Sequence, residues 1–160
     1  MVLILLAKIT VLEKASEQFK NIIIPEKVFE EVVIKGKEKK YEDSLIIEKI
    51  IKEGKIKVVK VKKKKLIERI NDFNVQGGEA EAIALYWETK AEFLLCDDNN
   101  VRKKEAILEL NLLGTPSIIL ELYKKKKITK EKALNSIEQL KKDSWFNQSI
   151  IDYLYLEVLK

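Results

Sequence analysis

The sequence contains no histidine and one cysteine, and these two shortages exclude several kinds of chemistry. Without histidine there is no His-ligated zinc site, no histidine general base and no Ser-His-Asp triad. The single cysteine, Cys96, cannot form a disulfide within the chain, which favours a cytoplasmic protein. Any catalysis therefore has to use carboxylates, lysines and a divalent cation held by oxygen atoms.

Glycine, proline and long apolar runs are also scarce. The chain has 5 glycines and 2 prolines, which favours a helix-rich protein. The opening run VLILLA is far shorter than the roughly 20 residues that span a bilayer, so no membrane segment is predicted. Charge, in contrast, is abundant: 36% of the residues are charged, mostly lysine and glutamate. Such a composition also occurs in proteins of thermophiles.

Short apolar runs that alternate with amphipathic segments predict the fold. Three runs read as strands: Asn21 to Ile24, Ile56 to Val61 and Glu92 to Cys96. Because helical patterns separate them, we expect a parallel sheet covered on both faces. No repeat or long linker divides the 160 residues. We therefore predict one domain over residues 1–160, a helix-rich three-layer α/β/α sandwich with a short parallel sheet.

The helical patterns complete this prediction. Helices are expected over Leu3–Phe19, from Pro25 to about Gly36, and over Glu42–Glu53, Lys62–Phe73, Glu79–Glu88, Val101–Leu110, Lys130–Lys142 and Ser149–Leu159, with another that Thr115 caps.

Carboxylates from three segments are expected at one edge of the sheet. Asp97 and Asp98 directly follow the third strand, at the edge where open parallel sheets bind ligands. Glu31 lies on the helix after the first strand, and Glu79 and Glu81 begin the helix that precedes the third. A cluster of oxygen ligands suits Mg²⁺ or Mn²⁺. Such an ion can activate water and stabilise a displaced phosphoryl oxygen without histidine.

Each acidic pair also has a purely structural explanation. Glu79 and Glu81 in a first helical turn would complement the helix dipole by about 0.3–1 kcal/mol each. Residues two apart on a helix do not face each other, so both reach one ion only if Glu79 precedes the helix. Asp97 and Asp98 could cap the next helix, and Asp98 could pair with Arg102 four residues later.

Two lysine runs, VKKKKL and YKKKKI, are either solvated faces or contacts to the phosphates of a nucleic acid. The candidate nucleic-acid-binding residues are Lys62, Lys63, Lys64, Arg102, Lys103, Lys124 and Lys125.

The segment IIIPEKVFEEVV resembles the PIN-domain family, metal-dependent ribonucleases that include the toxins of VapBC toxin–antitoxin modules. Glu31 matches the acid that precedes the paired aliphatic residues of that family. The stretch from GGEAEAIAL through LLCDDNNVR to LGTPS is similar to a prokaryotic PIN subgroup with a Gly-Glu-x-Glu-Ala helix, an aspartate pair and a Gly-Thr. The motif Glu-Ala-Glu-Ala is also similar to flap endonucleases, in which both glutamates serve metals. The resemblance extends from Val2 to about Trp145.

The resemblance implies an endoribonuclease that uses Mg²⁺ or Mn²⁺. Its catalytic and metal-binding residues would be Glu31, Glu79, Glu81, Asp97 and Asp98. It further implies RNA as the substrate, a homodimer and, for a toxin, a neutralising antitoxin protein.

The beginning of the sequence departs from the family. PIN domains open with a strand that ends in an essential aspartate, whereas MVLILLAKI matches the helix that follows that strand. A start codon assigned too far downstream, a truncated chain or a degenerate protein would each explain the difference. The rival hypothesis is a non-catalytic PIN-like protein that binds RNA or a protein partner, and a third is an unrelated α/β domain with an acidic surface.

Overall fold

Four short strands form two separate parallel pairs in the computed structural model, which describes residues 1–160. Strand β1 (Ile22–Pro25) pairs with β2 (Ile56–Val59). Strand β3 (Leu94–Leu95) pairs with β4 (Leu112–Leu113). No strand pairing joins one pair to the other.

Helices account for most of the remaining chain. They are α1 Val2–Lys8, α2 Leu12–Gln18, α3 Glu26–Phe29, α4 Lys35–Glu38, α5 Glu42–Lys52, α6 Lys64–Asn71, α7 Gly77–Thr89, α8 Asn99–Arg102, α9 Thr115–Lys124, α10 Lys130–Asp143 and α11 Gln148–Leu159. A π-helical segment, Glu30–Ile34, joins α3 to α4. None of the helices combines the length and apolar character that crossing a membrane requires.

The strands lie between two hydrophobic cores. Successive side chains of a strand point to opposite faces, so a single strand contributes side chains to both cores. Ile24 belongs to the larger core, which α1, α2, α5, α9, α10 and α11 supply. Ile23 packs against the smaller core, to which α6 and α7 contribute. In β3, Leu94 faces the smaller core and Leu95 the larger one. Helices therefore cover both faces of the strands, which confirms the predicted α/β fold with short parallel pairing.

A cavity of about 620 Å³ separates the two strand pairs. Both β1 and β3 line it, and each is paired with its own partner strand. Helix α1 contributes Val2 and Leu3 to the wall, and helix α7 contributes Ala82 and Ile83. No strand formed by residues 1–160 fills this space.

Several predicted elements differ from those observed. The helix expected over Leu3–Phe19 is divided into α1 and α2, with Thr10 between them in the left-handed conformation (φ +57°), which does not continue a right-handed helix. The helix expected over Val101–Leu110 is reduced to the single turn of α8, followed by turns. Strand β4 was not predicted, because two residues are too few to show a periodic pattern.

Candidate active site

Asp97 is a buried carboxylate held by two hydrogen bonds at the end of β3. Asp97 is only 3% exposed. The backbone amide of Thr115 donates to Oδ1 at 2.8 Å, and the Thr115 hydroxyl donates to Oδ2 at 2.6 Å. Thr115 is the first residue of α9, so the carboxylate also lies at the N-terminal end of this helix, where the helix dipole favours negative charge. These contacts fix the position of both oxygens.

The prediction that Thr115 caps α9 is wrong. Gly114 occupies the N-cap position, and the Thr115 hydroxyl donates to Asp97. Gly114 also permits a close approach, since a Cβ there would lie 3.0 Å from Asp97 Oδ1 and 3.0 Å from Arg102 Nη2. The sequence motif Gly-Thr therefore serves the carboxylate: the glycine makes room for it and the threonine binds it.

Arg102 lies near Asp97 but forms no salt bridge with it. Its guanidinium donates to the carbonyl of Cys96 at 3.4 Å, and it forms no salt bridge with either aspartate. The predicted surface pair between Asp98 and Arg102 is thus not formed. Asp97 is left as a buried carboxylate with no ion-paired cation, an arrangement that normally costs free energy.

Asp98 caps the following helix, which is one of the two explanations that the sequence left open for it. It is the N-cap of α8, and its Oδ1 accepts a hydrogen bond from the Val101 amide at 2.8 Å. The residue is half-buried and lines the cavity. Its other carboxylate oxygen makes no hydrogen bond within the chain, so capping leaves it able to bind a further group.

Glu31 is held against the start of α7 by Gly78. Its Oε1 accepts a hydrogen bond from the Gly78 amide at 3.2 Å. A Cβ at position 78 would lie 2.5 Å from Glu31 Oε2, so the carboxylate can occupy this position only opposite a glycine. Glu31 itself lies in the π-helical segment, an irregularity often found at functional sites. The close approach of Glu31 therefore explains why a glycine stands at position 78, directly before Glu79.

Glu79 and Glu81 contact different neighbours. Both lie within α7, so the condition for a shared ion, with Glu79 before the helix, is not met. The Glu81 carboxylate accepts a hydrogen bond from the backbone amide of Lys27, at 3.3 Å, in the first turn of α3. Glu79 is half-buried and lines the cavity. Of the two, only Glu79 lines the cavity that Glu31, Asp97 and Asp98 also line.

Lys27 is a cation at this site that the sequence did not reveal. Its Nζ lies 2.8 Å from the Glu30 carboxylate. That hydrogen bond raises the pKa of Lys27, and attraction from Glu30, Glu31 and Glu81 adds to the increase. Because Glu81 is supplied by α7, 54 residues along the chain, no local pattern around Lys27 could have indicated this cluster.

Four of the five predicted acids line one cavity. Its wall includes Glu31, Glu79, Asp97 and Asp98, whereas Glu81 does not contribute to it. No three side chains of Asp, Glu or Cys approach closely enough to enclose a metal ion together. Mg²⁺ commonly keeps several waters and is bound by only one or two carboxylates. The oxygen-only donor set therefore fits such an ion, although the chain does not form a complete cage.

The first lysine run lies away from these acids. The backbone amides of Lys62 and Lys63 donate to the Glu88 carboxylate at 3.1 and 3.2 Å. Glu88 lies nine residues after Glu79 on α7, which corresponds to roughly 13 Å along the helix axis. The side chains of this run are exposed near the C-terminal end of α7.

The other predicted cationic contacts are also on the surface. Lys124 forms a salt bridge with Glu157 at 3.4 Å, so part of its charge is already balanced. Lys64, Arg102, Lys103 and Lys125 are exposed and form no salt bridge.

Comparison with protein-family models identifies one match, a family described as PIN domain, over residues 1–159. Comparison with curated proteins gives no match, and comparison with solved structures gives none either.

Proposed function

The chain belongs to the PIN-domain family, whose members are in general nucleases, and we propose that it is a metal-dependent ribonuclease. It would hydrolyse RNA phosphodiester bonds with Mg²⁺ or Mn²⁺. We further propose that it is a VapC-type toxin, which would act as a homodimer and be neutralised by an antitoxin protein.

The observation that carries this proposal is the environment of Asp97. A carboxylate that is buried, fixed by Thr115 and free of any ion-paired cation is costly unless a cation joins it. Glu31, Glu79 and Asp98 line the same cavity as Asp97. A divalent cation would offset the repulsion among these acids.

The chain's own residues have separable tasks in this mechanism. Asp97 would bind the cation, with Glu31, Glu79 or Asp98 as further ligands. The bound ion would supply an activated water and stabilise charge on the phosphoryl group. Thr115 orients Asp97, and the Gly78 amide orients Glu31. Arg102 and the exposed lysines would hold the negative RNA backbone, a contact that positions the substrate without reading its sequence.

Exposed apolar side chains on α11 support the proposed protein partners. Tyr153, Leu156 and Leu159 are 53%, 63% and 57% exposed on a single helix. Apolar side chains grouped in this way favour a protein contact.

The direct test is cleavage of a labelled single-stranded RNA with Mg²⁺ or Mn²⁺, with and without EDTA. We expect wild-type protein to cleave only without EDTA, and Asp97→Asn to have lost the activity. Glu131→Gln, which changes an exposed acid on α10, should cleave like wild type. Full cleavage in EDTA, or by Asp97→Asn, would exclude the mechanism.

A second candidate function is that of a non-catalytic PIN-like domain that binds RNA or a protein. No three acids are close enough to hold one metal ion together. A site with fewer ligands binds a metal more weakly, which favours this second candidate. The two candidates differ in one result. A non-catalytic protein would retain RNA on a filter in the presence of Mg²⁺ and leave it intact, whereas the nuclease would shorten it.

A further inference from the structure

Helix α11 has two apolar faces. The inner face supplies three buried side chains to the larger hydrophobic core: Ile151, Leu154 and Val158. The outer face carries three apolar side chains that are each more than half exposed: Tyr153, Leu156 and Leu159. A helix on the surface of a protein normally has one apolar face and one polar face, whereas a helix that is apolar all round is normally covered all round. The outer face of α11 therefore has the character of a buried surface.

The outer face is symmetric about Leu156. Lys160 continues the helical spiral, because its amide donates to the Leu156 carbonyl at 3.2 Å. A helix rises about 1.5 Å and turns about 100° per residue, so Asp152 and Lys160 lie about 6 Å on either side of Leu156 and about 40° to opposite sides of it. By the same geometry, Tyr153 and Leu159 lie about 4.5 Å on either side and about 60° to opposite sides. All five side chains are exposed.

The charges at the two ends of this face have opposite signs. Asp152 forms no salt bridge, and its Oδ1 accepts only a hydrogen bond from the Gln148 side chain, at 2.7 Å. Lys160 pairs with Glu157, which also forms a salt bridge with Lys124 at 3.4 Å. Two lysines thus share one carboxylate, which leaves a net positive charge at one end of the face and a negative charge at the other.

We propose that the outer face of α11 is a homodimer interface, in which the helices of two copies pack antiparallel about a two-fold axis at Leu156. Leu156 then contacts Leu156 of the second copy, Tyr153 lies opposite Leu159, and Asp152 lies opposite Lys160. Such an interface is isologous, so each unlike pair forms twice.

This inference rests on the homodimer of the proposed function and names its surface. It requires neither metal nor RNA, because no residue of α11 lines the cavity that the acids line. One pair of helices buries less than the roughly 800 Å² per partner of a typical stable interface, so the dimer should dissociate on dilution.

Sedimentation equilibrium over a dilution series, in EDTA and without RNA, measures the dissociation constant of the dimer. Leu156→Asp places two carboxylates against each other at the two-fold axis and should raise this constant at least about tenfold. Ile107→Asp changes an aliphatic residue of similar exposure outside α11, 67% against 63%, and should dimerise like wild type. Circular dichroism checks folding. Wild-type protein that is monomeric at every concentration, or folded Leu156→Asp that dimerises like wild type, would overturn the inference.

Exchange of charges tests the arrangement even if Leu156→Asp fails to fold. Asp152→Lys and Lys160→Glu each place like charges opposite each other, so each should weaken the dimer at low salt. The double variant restores opposite charges and should dimerise like wild type. An equal mixture of the two single variants should form more heterodimer, measured by native mass spectrometry, than random association gives. Equal dimerisation of all these proteins with random mixing would overturn the antiparallel pairing. RNA cleavage by a monomer would contradict this interface and leave the proposed nuclease intact.

Discussion

At the scale of single residues, the hydrogen bond from Thr115 to Asp97 is the contact that determines the site most directly. Thr115→Val keeps the shape of the side chain but leaves Asp97 Oδ2 without its donor. We expect the free energy of unfolding, measured with urea, to fall by about 1–3 kcal/mol. Thr115→Ser retains the hydroxyl and should lose much less. Equal stability of Thr115→Val and wild type would show that this bond contributes nothing.

Cys96 gives a prediction about pH. Burial raises the pKa of its thiol from the usual 9.0 to about 11. Between these values the unfolded thiol loses its proton while the folded one keeps it, so stability is complete below pH 9 and falls as pH approaches 11. The loss should reach about 2–3 kcal/mol, as two pKa units imply. Urea unfolding of wild type and Cys96→Ala at several pH values isolates this contribution. Identical pH slopes in the two proteins would refute it.

At the scale of elements, the contact between α7 and the π-helical segment should control Glu31. Gly78→Ala improves the helix propensity of α7 by about 1 kcal/mol but displaces the Glu31 carboxylate, whose hydrogen bond is worth a similar amount. We therefore expect little change in stability and about 10–100-fold weaker Mn²⁺ binding, as for other residues that orient a ligand.

The control for this prediction is a double-mutant cycle. If Gly78 acts through Glu31, Gly78→Ala should have no additional effect on Mn²⁺ affinity in protein that carries Glu31→Gln. Equal effects of Gly78→Ala in both backgrounds would mean that the glycine acts by another route.

Local patterns predicted elements well where the pattern was long. Helix α5 was expected over Glu42–Glu53 and is observed over Glu42–Lys52, because its apolar periodicity is regular and Gly54 follows it. The π-helical segment around Glu31 was not predictable, since its five residues read as ordinary helix. Contacts between elements could not be predicted from local patterns either. The hydrogen bond from the Lys27 amide to the Glu81 carboxylate, for example, depends on how α3 packs on α7.

At the scale of the whole molecule, the alternation of strands and helices was sufficient to predict two helical layers around parallel strands. The expectation of one sheet was incomplete, because the strands form two separate pairs. Glu31 and Asp97, which both follow strands, were expected at one edge of the sheet and line one cavity. Their hydrogen-bond partners depend on tertiary packing and had to be observed.

The central claim is that Asp97 and the other acids lining the cavity bind a divalent cation, and calorimetric titration with Mn²⁺ measures this directly. We predict saturable binding to wild-type protein and to the surface control Glu131→Gln, and greatly weakened binding to Asp97→Asn. Circular dichroism should show that all three are folded. Equal Mn²⁺ binding by wild type and Asp97→Asn, or no binding by folded wild type, would contradict the claim.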